Sequence, residues 1–150
     1  MKTVTWREWS LNCDEEATKN AYQAVAGGGA DTCTCNACRN YARARETLFP
    51  QEMLGLLSEL GIDYRKEAEA SRYNRVRSRV HLYSVWFHFV GSIGAGKPPE
   101  ILFPDKINES LSIGFHERRD LPHHPFRGKP LVQVDFLAEV PWVLDEPEPE

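Results

Sequence analysis

His81-Leu82-Tyr83-Ser84-Val85-Trp86-Phe87-His88-Phe89-Val90 is the stretch that decides the fold. Tyr83, Val85, Phe87 and Phe89 recur with period two, as side chains on one face of a β-strand do. Leu82, Trp86, His88 and Val90 fill the other face, and they too are mostly apolar. Apolar character on both sides marks a strand covered on both faces, so the run from Val76 to Ile93 is expected at the middle of a sheet. Leu111–His116 and Leu131–Leu137 read as its companions. In the second of these, Val132, Val134 and Phe136 face one way, and Gln133 and Asp135 the other. Working back towards the N-terminus, residues 2–10 (KTVTWREWS) are also β-prone.

Between these strands the period changes. Asn12 followed by Glu15 resembles a capping box and predicts a helix over Cys13–Val25, closed by Gly27-Gly28-Gly29. Arg39–Phe49 and Pro50–Leu60 predict two more helices; Met53, Leu54, Leu57 and Leu60 form the apolar side of the second, and Gly61 stops it. Asp63 predicts a short further helix to Ala70. The order strand, helices, strands implies an α+β fold, with the N-terminal strand and the helices packed on one face of a mostly antiparallel sheet. Residues 1–144 read as one domain. Asp145-Glu146-Pro147-Glu148-Pro149-Glu150 reads as an acidic, proline-rich, disordered tail.

Composition narrows the function. A chain of 150 residues that is 41% apolar can hold a core without cross-links. Its net charge of −4 argues against a nucleic-acid coat. No run of 18 apolar residues and no apolar leader occurs, so no membrane association and a cytoplasmic address are expected. In a reducing compartment, clustered cysteines read as metal ligands or redox groups before disulfides.

Three of the four cysteines, Cys33, Cys35 and Cys38, lie within six residues at a predicted helix start. Backbone N–H groups there favour the thiolate, which is the form that binds metals. Cys13 is predicted at a second helix start, and the linker from Ala26 to Thr32 is long enough to bring it back. Four thiolates would make a closed tetrahedral site for a structural Zn²⁺. Other readings stay open: a Cys35/Cys38 redox pair, Cu(I) on soft thiolates, or cysteines that are reduced and merely packed. Cys-x-Cys departs from the usual iron–sulfur spacings.

Weaker features stand beside this cluster. His116, His123 and His124 lie near Glu117 and Asp120, and His88 sits in the central strand; two of them with a carboxylate would suit a catalytic metal, but His123-His124 is bounded by prolines and adjacent side chains diverge. Gly91-Ser92-Ile93-Gly94-Ala95-Gly96-Lys97 begins like a phosphate-binding loop and fails at Pro98, where a Ser or Thr is needed. Arg72, Arg75, Arg77 and Arg79 form a basic run suited to phosphates, an acidic protein or the chain's own acidic surface.

The segment Cys33-Thr34-Cys35-Asn36-Ala37-Cys38-Arg39-Asn40-Tyr41 resembles a family of small uncharacterised bacterial proteins, as do His81–Gly91 and Val140-Pro141-Trp142-Val143-Leu144. The resemblance implies a single bacterial domain and adds no catalytic assignment. The expectation is therefore a zinc-binding protein with a binding or scaffolding role towards a partner protein, rather than an enzyme. The alternatives are a thiol-dependent redox protein or enzyme, and an immunity-like or adaptor protein that meets a basic partner.

Overall fold

The strand expected at 76–93 is in fact the longer arm of a hairpin. In a computed structural model that describes residues 1–150, β3 (Glu69–Arg77) and β4 (Val80–Ala95) pair antiparallel around a two-residue turn at Ser78-Arg79. Arg79 takes φ 63°, a left-handed conformation that such turns demand and that usually falls to Gly or Asn. The short helix expected after Asp63 is absent: turns occupy that segment and β3 follows.

The N-terminal strand is also a hairpin. β1 (Lys2–Trp6) and β2 (Trp9–Cys13) turn at Arg7-Glu8, again with an arginine at positive φ, 50°. β2 therefore runs through Cys13, and the first helix, α1 (Glu15–Gln23), begins later than expected. Asp14 caps it, its carboxylate accepting from Ala17 N at 3.0 Å. α2 (Gly29–Thr32), α3 (Asn36–Ala44) and α4 (Gln51–Glu59) follow, with a 3₁₀ turn at Arg45–Thr47 and Gly61 at φ 81° closing α4 as a C-terminal glycine does. β5 (Asp105–Asn108), β6 (Leu111–His116) and β7 (Leu131–Pro141) complete the chain. The seven strands lie in the order β1-β2-β4-β7-β6-β5, with β3 beside β4, and every pairing is antiparallel. The α+β architecture expected from the sequence is the one observed, with β4 and β7 at its centre. No helix is long and apolar enough to cross a membrane.

The two faces of the sheet differ in chemistry. Tyr83, Val85, Phe87 and Phe89 on β4, with Val134 and Phe136 on β7, are fully buried. The helical layer packs on this face: Tyr41 stacks on Tyr83 with centroids 5.8 Å apart, and Phe49 meets Phe136 at 5.1 Å and Phe87 at 6.2 Å. Each such ring stabilises by about 1.5–3 kcal/mol relative to an exposed one. The opposite face is largely covered too, but there buried polar side chains stand among apolar ones. Register aligns Trp86, Asp135 and Gly114 in one cross-strand row and His88, Gln133 and His116 in the next. Segments 98–104 and 117–126 cross over these rows. Gly114 permits this, because a Cβ there would collide with the Leu102 carbonyl oxygen.

The glycine run that resembled a phosphate loop belongs to β4 and its exit. A Cβ at Gly91 would strike Asn12 O and one at Gly96 the Trp9 ring, so these glycines serve the close approach of β2. Lys97 pairs with Asp105 at 2.7 Å and Glu8 at 3.3 Å. The basic run meets the chain's own carboxylates. Arg77 pairs with Glu139 and Arg75 with Glu150, and beside them His81 Nε2 shares a hydrogen bond with Glu148 at 2.8 Å. Residues 145–150 contain no helix or strand.

Candidate metal centre

Cys33 follows α2, Cys35 is the N-cap of α3 and Cys38 lies in the first turn of α3. Helical curvature brings the three sulfurs to one corner. Their Sγ atoms lie within 4.8 Å of one another, and they form the only group of three or more His, Cys, Asp or Glu side chains that converges in this way. Cys33 Sγ and Cys35 Sγ are 3.3 Å apart, and Cys35 Sγ accepts from Cys38 N at 3.4 Å. That contact is the capping bond of α3, supplied by a sulfur in place of the usual oxygen. Tetrahedral coordination at a Zn–S distance of about 2.3 Å sets sulfurs roughly 3.8 Å apart, so the spacing seen here fits a single ion.

Electrostatics differ across the three. The Cys33 thiol is held below its ordinary value, first by the Cys35 backbone N–H and then by the Cys38 and Cys35 thiols. Burial, with help from the neighbouring thiols, pushes Cys38 well up. Cys35 is exposed and Cys33 half-buried, so the cluster opens towards solvent.

Cys13 does not join them, which corrects the expected fourth ligand. It ends β2 rather than starting a helix, it is fully buried, and its thiol donates to Leu60 O at 3.4 Å. Burial raises that thiol to about 11, the behaviour of a packed cysteine rather than a ligand. The linker that was long enough to return Cys13 to the cluster instead runs to the edge of β3, where Gly29 N donates to Glu67 O at 2.8 Å.

A buried ionic clamp, not evident in the sequence, builds the corner that carries Cys33. Arg45, just past α3, bonds Glu67 Oε1 at 3.1 Å and both oxygens of Asp31 at 2.9 and 3.0 Å. Glu67 is fully buried and also accepts from Ala30 N at 2.9 Å; Asp31 accepts from Gly28 N at 2.7 Å. Burial pushes the Glu67 carboxyl up to about 7, against the pull of the Ala30 N–H and the Arg45 charge.

The histidines do not converge. His88 Nε2 meets Gln133 Oε1 at 3.1 Å, and burial lowers its pKa to about 4, so it is neutral at pH 7. His116 donates to Leu102 O, and His123 bridges the Lys66 and Glu67 carbonyls. His124 begins a 3₁₀ turn at Pro125. His88, His116 and His123 thus each use one ring nitrogen for a hydrogen bond within the fold, while His88 Nδ1 is buried without a partner. The chain matches no protein-family model, no curated protein and no solved structure.

Proposed function

We propose that this protein binds a soft divalent cation, Zn²⁺ before others, through Cys33, Cys35 and Cys38, and that the ion pins α2 to α3. The observation that carries this reading is the convergence of three thiols within 4.8 Å at the start of a helix. Thiolates select zinc among the common divalent ions, and the helix N-terminus offsets their charge. Three protein ligands leave one position open, and a group brought by a partner protein that completes it would give a binding or scaffolding role in a compartment that keeps thiols reduced. The test is metal content of untagged protein purified under reducing conditions. About one equivalent is expected, lost in Cys33→Ser and Cys38→Ser and retained in Cys13→Ser. Less than about a tenth of an equivalent after incubation with Zn²⁺ refutes the reading.

A second reading, thiol redox exchange, is favoured by one distance. Cys33 and Cys35 are 3.3 Å apart, and Cys38 lies within 4.8 Å of both, so the cluster holds a dithiol in reach of exchange. Oxidation by an external disulfide would join the two sulfurs and leave two thiols on the oxidant. Mass spectrometry after equilibration with glutathione buffers separates the readings. A Cys33–Cys35 disulfide at reducing poise supports exchange; thiols kept reduced and zinc-bound support the metal.

A further inference from the structure

On the polar face of the sheet, remote in chemistry from the cysteines, a cleft of about 570 Å³ opens between β4, β7 and the crossing segments 98–104 and 117–126. That size falls in the range of roughly 300–1,000 Å³ typical of small-molecule sites. Its walls carry Ser84, Trp86, Arg118, Arg119, Gln133 and Asp135. The cleft has a built floor. Gln133 donates to Asp135 Oδ1 at 2.8 Å and to Asp120 Oδ2 at 3.1 Å, while its own oxygen accepts from Asp120 N at 2.9 Å. Trp86 is fixed by its indole N–H to Asp120 O at 2.9 Å.

One atom in this network is left over. Asp135 Oδ2 is buried and receives no hydrogen bond. The side chain is 8% exposed, and His116 Nε2 stands 3.9 Å away and already donates to Leu102 O at 2.9 Å. A buried carboxylate oxygen without a donor costs free energy unless something completes it. The loop over the cleft is strained as well: Leu121, 67% exposed, holds φ 45°, and such strain gathers at binding sites.

We propose that the cleft binds a planar ring bearing N–H donors and an anionic substituent, the chemistry of a guanine nucleotide. The reasons are geometric and chemical. Asp135 offers two acceptor oxygens, one of them entirely free, which suits an amino group and a ring N–H set side by side. Trp86 supplies a fixed aromatic wall for stacking. Arg118, which Asp120 holds at 2.8 Å, and Arg119 supply positive charge for a phosphate. Adenine places an acceptor beside its amino group and is disfavoured by the same carboxylate. This inference is independent of the metal site.

The test is titration of the full chain with guanosine monophosphate, followed by tryptophan fluorescence, with guanosine and adenosine monophosphate as comparisons. Saturable one-to-one quenching is expected and should vanish in Trp86→Phe. Asp135→Asn, which replaces one acceptor by a donor, should weaken binding at least about tenfold. Arg119→Ala, an exposed change at the mouth, should weaken the monophosphate several-fold and leave guanosine unchanged. It keeps the test sharp if Asp135→Asn fails to fold. The proposal is overturned by no saturation up to about 2 mM, by adenosine monophosphate binding as tightly as the guanine nucleotide, by a folded Asp135→Asn variant that binds equally well, or by Arg119→Ala affecting both guanine ligands alike.

Discussion

Arg45→Met removes the guanidinium that holds the corner beneath Cys33. The pair it breaks is deeply buried: the Arg45 side chain is 9% exposed and Glu67 0%. Removing one partner of such a pair leaves the other charge without compensation and costs about 3–5 kcal/mol. Asp31, 35% exposed, adds at most about 1 kcal/mol because water screens it. The expected loss near pH 8 is therefore about 4 kcal/mol, which for a chain of this size lowers Tm by roughly 10 °C. Glu67 also fixes the sign of the pH dependence. Its folded value, about 7, lies above the ordinary carboxyl value of 4.5. In the parent protein its contribution is thus fully present below about 4.5 and is lost as pH rises through about 7. Near pH 5.5 Glu67 keeps its proton, Arg45 faces a neutral acid, and the substitution should cost only about 1–2 kcal/mol. Adding Glu67→Gln to Arg45→Met should recover roughly half of the loss near pH 8. Urea denaturation followed by tryptophan fluorescence at the two pH values reads all three quantities. A loss below about 1 kcal/mol near pH 8, or an equal loss at both pH values, would refute the argument.

Three other outcomes are expected. Cys13→Ser should lower stability by about 1–2 kcal/mol, because it exchanges a packed sulfur for a smaller polar atom at a fully buried site, while zinc stoichiometry stays unchanged; chemical denaturation and metal analysis check both halves. Tyr22→Phe should cost about 1–3 kcal/mol in urea denaturation, since the hydroxyl donates to His88 O at 2.8 Å and accepts from His88 N at 3.1 Å, tying α1 to β4. Alkylation without metal, mapped by mass spectrometry, should modify Cys35 and Cys33 first and Cys38 and Cys13 last, following exposure; one equivalent of zinc should slow the first two, and labelling indifferent to zinc would count against coordination there.

The central strand was legible in the sequence because burial on both faces leaves few polar residues in it. The α+β class followed from the change of period between 13–60 and 80–137. Neither hairpin turn is legible, for one reason: their left-handed residues are Arg7 and Arg79, and arginine carries no turn signal. Without that turn the sequence places the first helix cap at Asn12 instead of Asp14, and Cys13 in the helix instead of at the end of β2. Cys33, Cys35 and Cys38 were legible because one helical turn brings near neighbours together. That Cys13 stands apart from them was not, because it depends on where a strand ends. Neither the Arg45–Glu67–Asp31 clamp nor the orphan oxygen of Asp135 has a local signature. Each is made by residues that meet only after the sheet and the helical layer have packed.

β7 lets this chain change one property while holding another constant. Val132, Val134 and Phe136 are locked among the rings of the helical layer, and most alterations to their volume would be felt throughout the core. Gln133 and Asp135, interleaved with them, look the other way and set the polarity of the opposite face. Odd positions can drift in chemistry while even positions preserve the scaffold. A lineage descended from this chain could therefore acquire a new preference through one or two substitutions in a single strand, wherever the new side chains keep the hydrogen bonds of that buried row satisfied.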